Sequence, residues 1–416
     1  MNIRTLFLLY LVNPLLSFYY GLKTGIIKFI KFNIIGLTLF FALTISIGET
    51  EKGYDIERNM QEVEALHNDI WLNESIFSYY SDSGEIDVGK TIIAYVISRF
   101  TGNGMVLILV YALFYGIFLA ANWTLVFKRS YYGSPRVSVH LKFYLFALFL
   151  AIPFWYMNGF RFWMASHFYI YYLLPSLLGT NERRVWPIIL TPLFWHFSFI
   201  VPVMVYFLFR VTNRSIHVGF LVLLIGLLFN GFNAQIFEEF ARTSLGQPFS
   251  SRLAGYISSE SIEAHMLNES DAGLSWHKRF RNDSVIYAMS IYLVGFYGRY
   301  VSGYKSVLRN KEYHAFLMFF LGVSLVSSNL PSGGRFITVV LYLFISYLLV
   351  YQIQFKKKPL FERLIMVVIT PLIMFHSLLT LRIGLYLMSL TTFIGNPIIA
   401  IFTVWNNWNL DELLIR

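Results

Sequence analysis

Asn158-Gly159-Phe160-Arg161-Phe162-Trp163-Met164-Ala165-Ser166-His167-Phe168-Tyr169-Ile170-Tyr171-Tyr172-Leu173-Leu174 is an apolar, aromatic run with an arginine near its start. Its length is most of what a helix needs to cross a hydrocarbon layer of about 30 Å. The same theme recurs twice. Trp195-His196-Phe197-Ser198 sets an imidazole inside an apolar run, and Ser332-Gly333-Gly334-Arg335 sets a guanidinium at the start of another. The rest of the chain reads as scaffold that brings these polar groups together, or as loops that roof them.

Working outward, the 416 residues are 56% hydrophobic, 19% aromatic and only 13% charged. Soluble domains carry about 25% charged residues, so the composition is that of an integral membrane protein. The net charge of +10 reports topology and anionic headgroups in such a chain, and no stretch is both hydrophilic and basic enough for a nucleic-acid module. Cysteine is absent, which removes disulfides, thiolate metal sites and a thiol nucleophile. The first apolar run lacks a small-x-small cleavage site and reads as a retained helix.

The expected architecture is all-α and polytopic, a single transmembrane domain over 1–416 with about 11–12 membrane helices. Expected spans cover about 4–20, 32–47, 105–127, 141–157, 159–178, 185–209, 216–233, 284–302, 313–328, 335–354 and 362–404, the last long enough for two helices. Asn13-Pro14 reads as a kink in the first. Two long polar segments, about 48–104 and 234–283, interrupt the series. Lys23, Lys28 and Lys31 mark one cytoplasmic connection, and Lys128, Arg129, Arg136 and Lys142 the next. Arg183 with Arg184, Lys305 with Arg309 and Lys311, and Lys356 to Lys358 with Arg363 mark three more. The acidic 48–104 segment falls outside.

One conflict stands in this count. Arg183/Arg184 and Arg210/Arg214 flank the same apolar run, so both of its ends ask to be cytoplasmic. That run holds Pro187, Pro192 and Pro202, and proline breaks or kinks helices. The reading that restores parity is a broken or re-entrant pair of half-helices with His196 near the turn. Such backbone is tolerated at depth where it is buried in protein or lines a wet cavity. Arg161, Arg335, Arg382 and both long segments then share the outer face.

Arg161 and Arg335 both fall in the first turn of a helix, where the macrodipole disfavours cations by a few tenths to about 1 kcal/mol. One such arginine is explained by snorkelling to lipid phosphate; two on one face point to an anion site. A helix N-terminus offers free amide donors, and a guanidinium beside it suits a diphosphate. Arg382 is either a third member or a plain charge between two helices. His196 suits a general base or a phosphate contact. His167 falls away from the face of Arg161 and reads as packing. Asp55, in Gly53-Tyr54-Asp55, is a base, a sugar contact or one acid among many. The second polar segment holds Tyr256 and an aromatic-basic patch that includes Trp276 and Arg279. No H-E-x-x-H, P-loop, G-x-S-x-G or clustered His/carboxylate spacing is present in the sequence.

At Gly53-Tyr54-Asp55, Asn158-Gly159-Phe160-Arg161, Phe194-Trp195-His196-Phe197-Ser198 and Gly334-Arg335-Phe336 the chain resembles the polytopic polysaccharide polymerases of the EpsG-like, O-antigen-polymerase (Wzy) type. The resemblance implies a relation to the C-type glycosyltransferases and a place in the bacterial inner membrane. It implies transfer of a growing glycan from undecaprenyl diphosphate to a sugar hydroxyl of an incoming lipid-linked repeat unit, on the periplasmic side. His196, Arg161 and Arg335 would then be catalytic, and Arg382, Asp55, Tyr256, Trp276 and Arg279 would bind substrate. No cofactor is implied. The implied partners are the undecaprenyl-diphosphate-linked oligosaccharide, membrane lipids, and flippase and chain-length regulator proteins. The alternative from another class is a flippase or transporter for lipid-linked oligosaccharide, which ordinarily carries repeated halves; no internal repeat is found here. A membrane acyltransferase is a third option.

Overall fold

A computed structural model describes residues 2–45, 55–68, 87–131, 139–179, 185–229, 276–304, 308–328, 333–353 and 359–402. Over these residues the chain is helical, apart from one isolated antiparallel bridge between Ile45 and Met388. Five helical stretches among them are long and apolar enough to cross a membrane. The protein is a polytopic membrane protein.

The first expected span is not one kinked helix. α1 (Ile3–Val12) and α2 (Pro14–Thr24) fold back on each other at Asn13. Ser17 donates its hydroxyl to the Leu6 carbonyl at 3.0 Å, whereas in a continuous helix residues that far apart are separated by about 16 Å. Asn13 has extended backbone, and its side chain accepts from Leu16 N. Its own amide group donates to the Phe393 carbonyl at 2.6 Å. An asparagine that caps the second helix ends the first, and Pro14 sits at the helix start where its missing N–H costs nothing.

The full crossings follow. α3 (Ile27–Thr44) packs along α6 (Gly104–Tyr131), with Gly116 against Ile35 and Thr38. Between them in sequence lie α4 (Asp55–Asn68) and α5 (Val88–Ser98). α7 (Val139–Ala151) and α8 (Phe160–Leu177) are joined by a 3-10 turn at Phe154–Gly159. Later come α9 (Val185–Trp195), a 3-10 turn at Phe197–Phe199, α10 (Ile200–Val211) and α11 (Ile216–Leu228). α12 (Trp276–Val301), α13 (Lys311–Val326), α14 (Gly333–Leu348) and α15 (Leu360–Leu385) follow, the last two within stretches long and apolar enough to cross. α16 (Leu390–Ile394) and α17 (Pro397–Phe402) are short.

Direction is fixed by contacts. Tyr144 of α7 meets Thr370 of α15 at 2.8 Å, and Trp155 further on meets Gly384 near the end of α15. α8 then returns: Phe162 at its start faces Phe336, and the Leu177 carbonyl at its end accepts from Asn310. The apolar stretch Val139–Leu177 is therefore a hairpin. Arg161 and Arg335 lie at one end of the bundle. Arg309, paired with Glu362 at 3.5 Å, and Arg214, paired with Glu312 at 2.7 Å, lie at the other.

α9 and α10 form the expected re-entrant pair. Trp195 packs on Phe160 and Phe168, and Phe209 reaches Phe316 on the way back. Arg214 and Leu177 thus share an end, which resolves the parity conflict. Inside the bundle, α14 is apolar and almost wholly buried from Phe336 onward, as a central helix must be, with Arg335 exposed in its first turn. α15 instead shows Leu364, Val367, Val368, Met374 and Leu378 outward and Ile365, Ile369, Ile373 and His376 inward, a lipid-facing stripe at helical spacing. α11 and α13 run parallel in backbone contact: Gly219 lies against the Ala315 carbonyl and Gly226 against that of Gly322. Small residues permit such crossings.

Candidate functional site

Arg161 is the second residue of α8, and its cationic first-turn position is compensated by an acid from a distant helix. Its Nη1 lies 3.0 Å from Asp87 Oδ2, with the Asp87 side chain 6% exposed and that of Arg161 30%. The other oxygen, Oδ1, accepts from Phe197 N at 2.9 Å. One buried carboxylate therefore ties the start of α8 to the break between α9 and α10.

His196 occupies that break with extended backbone (φ −155°, ψ 119°). Its Nδ1 accepts from Ser198 N at 3.2 Å and lies 2.8 Å from Ser198 Oγ. A backbone amide can only donate, so the neutral ring carries its proton on Nε2. Among the described residues nothing hydrogen-bonds Nε2. Of the two roles read from sequence, a phosphate contact through Nε2–H fits this tautomer and a general base at Nε2 does not. Phe162 packs edge-on to the imidazole at 5.4 Å between ring centres, and the Arg335 guanidinium lies 5.4 Å from the centre of the same phenyl ring. Arg161, Arg335, Asp87 and Asp55 are all within electrostatic reach of the imidazole.

Beside Arg335 opens a cavity of about 450 Å³, lined by Asp55, Arg58, Trp155, Tyr156, Asn158, Gly159, Trp163, Arg335, Ile383, Tyr386 and Leu387. That volume lies in the range of small-molecule sites. α4 supplies Asp55 and Arg58, which pair with each other. Asn158 Oδ1 accepts from Ile56 N at 3.3 Å, and Lys90 Nζ meets Glu62 Oε2 at 2.7 Å, so α4 is held over the site from both sides. Tyr156 lies near Thr380 and within electrostatic reach of Arg281 and Arg335. Beyond it, Thr380 Oγ1 lies 3.3 Å from His376 Nε2, and His376 Nδ1 donates to the Arg281 carbonyl at 3.1 Å.

Comparison with family models, curated proteins and solved structures returned no match.

The structure brings Arg161, His196, Arg335 and Asp55 to one place. It does not bring Arg382, which is exposed on the last turn of α15, about 100° around the helix from the face that Ile383, Tyr386 and Leu387 turn to the cavity. Arg281, from the start of α12, is the further cation near Tyr156 instead. Tyr256 lies outside the described residues, and for Trp276 and Arg279 only the helical backbone of α12 is described. His167 is packing, as expected: its ring is buried edge-on to Tyr115 at 4.6 Å. Asp87 was overlooked by the sequence reading. Its signal was an acid immediately ahead of the apolar run Val88–Ser98, but nothing local tells that its partner is Arg161.

Proposed function

We propose that this chain is a glycosyl-transferring polymerase that uses a lipid-diphosphate-linked glycan as donor and a sugar hydroxyl of a second lipid-linked unit as acceptor. The observation that carries the reading is that Arg161 and Arg335, remote in sequence, open two helices at one end of the bundle with His196 near both and a cavity alongside. Two guanidinium groups and an Nε2–H donor form an electrostatic cradle for a leaving diphosphate, the kind of preorganised stabilisation that supplies much of a rate enhancement. In the transfer, the acceptor oxygen bonds to the anomeric carbon while the bond from that carbon to the diphosphate oxygen breaks. The departing negative charge is met by Arg161, Arg335 and His196. The acceptor's proton goes to a carboxylate, for which Asp55 on the cavity wall is placed. Tyr386, half-buried on the cavity wall, is the aromatic ring best placed to stack on a sugar. The membrane is the bacterial inner membrane, with the Arg161 end facing the periplasm, the end remote from the Arg214 and Arg309 pairs.

The test is reconstitution in vesicles with lipid-linked repeat unit and no nucleotide sugar. A ladder of polymer lengths supports the reading. Translocation of the unit without chain growth would instead make the protein a flippase, and consumption of acyl-CoA an acyltransferase.

A further inference from the structure

We propose that Asp87 is the positioning residue of the anion site, holding Arg161 and the α9–α10 break in one fixed relation through its two carboxylate oxygens. This rests on the reading of Arg161 as a diphosphate ligand. Three observations carry it. The carboxylate has divided its oxygens, Oδ2 to Arg161 Nη1 at 3.0 Å and Oδ1 to Phe197 N at 2.9 Å. Asp87 also stands at the N-cap of α5, where an aspartate ordinarily accepts from the first-turn amides, yet it makes no side-chain cap hydrogen bond. Its side chain has left the local bond for two partners on other helices. Finally, the approach is built by Gly89, where an added Cβ would meet Phe194 and Trp195 at 2.8 Å. Any larger residue there pushes the start of α5, and Asp87 with it, away from the break.

The consequence is geometric. Arg161 could reach lipid phosphate from the first turn of α8, and His196 sits where α9 gives way to extended backbone, its N–H still bonded to the Pro192 carbonyl at 2.9 Å. The carboxylate holds both at once. With Arg161 Nη1 committed to Asp87, the guanidinium plane is set relative to the imidazole next to Phe197. A cradle for two phosphoryl groups requires such a fixed spacing.

The experiment measures binding of a fluorescent short-chain prenyl diphosphate to the full-length protein in nanodiscs, for the wild type, Asp87→Ala, Asp87→Asn, Arg161→Ala and Asp87→Ala/Arg161→Ala. Melting temperature and membrane yield confirm folding. Asp87→Ala should weaken binding about tenfold, Asp87→Asn less because it still accepts from Phe197 N, and the double variant should bind no worse than Arg161→Ala. Tighter binding in Asp87→Ala would mean that the carboxylate competes with the ligand for Arg161, and would overturn the assignment. So would unchanged binding, additive losses, or a wild type that does not bind the probe. The polymer assay is read separately. Chain growth by the wild type with flat Asp87 binding sinks this inference alone, whereas the expected binding cycle without chain growth sinks the polymerase reading alone.

Discussion

A histidine whose Nδ1 accepts a backbone amide proton has only a donor to offer elsewhere, and this fixes what His196 can do. Replacement by glutamine retains an N–H near the position of Nε2, so His196→Gln should keep about a tenth or more of the chain-growth rate, while His196→Ala should fall about a hundredfold. Loss of activity to the same degree in both variants would restore the general-base role. Arg161→Ala and Arg335→Ala should each reduce polymer formation by about a hundredfold or more with normal insertion, and Arg→Lys should rescue poorly because the planar fork is lost. Full polymer length in either alanine variant removes that arginine from the mechanism. These three residues were legible because each breaks a local rule: a cation in a first turn, or an imidazole between prolines. Asp87, Arg281 and His376 break none. Their importance comes from partners remote in the chain, Arg161 for Asp87, Tyr156 for Arg281 and the Arg281 carbonyl for His376, and no local pattern encodes a pairing across the bundle.

At the scale of elements, two hairpins enter from one end and return to it. For α9–α10 the three prolines and the unmatched arginines announced this in advance. For α1–α2 the single Asn13-Pro14 step was under-read as a kink, because one proline at a helix start is compatible with either outcome. The spatial proof is the Ser17–Leu6 hydrogen bond, which adjacent sequence does not predict. Cysteine labelling in intact spheroplasts tests the arrangement. Asn213, exposed on the turn after α10, and Arg129 near the end of α6 should be protected together, while Phe100 after α5 should label. A labelled Asn213 would require a full crossing between Trp195 and Arg210. The α11–α13 crossing offers a second check. Gly226→Leu places a side chain where the Gly322 backbone lies and should destabilise the fold by about 1–3 kcal/mol, seen as a lower melting temperature. An unchanged melting temperature would mean the helices are not in backbone contact.

Over the whole molecule, the charged groups are partitioned. Arg214–Glu312 and Arg309–Glu362 staple one end, and Arg161, Arg335 and Arg281 gather at the other, where Asp87 and Asp55 are nearby carboxylates among the described residues. On the proposed reading a diphosphate binds at this cationic end, and a ligand at a hundred times its Kd stabilises by about 2.7 kcal/mol. For a chain of this size that raises the melting temperature by about 3 °C, and Arg335→Ala should abolish the rise. A shift of equal size with a prenyl alcohol would attribute binding to the lipid tail alone. Composition was enough to read membrane residence and the all-helical class, since both follow from hydropathy; against the 11–12 membrane helices expected, five stretches among the described residues are long and apolar enough to cross. The cavity was not readable, because its walls come from four separated parts of the chain.

Trp155 forms part of that wall only because Gly384, on the opposite helix, has no side chain: a Cβ there would lie 2.7 Å from the indole. The pair behaves as a set screw. A methyl group at residue 384 forces that ring to shift while Arg335 keeps its place, so on the proposed reading the girth of the bound glycan and the transfer chemistry would be separately adjustable.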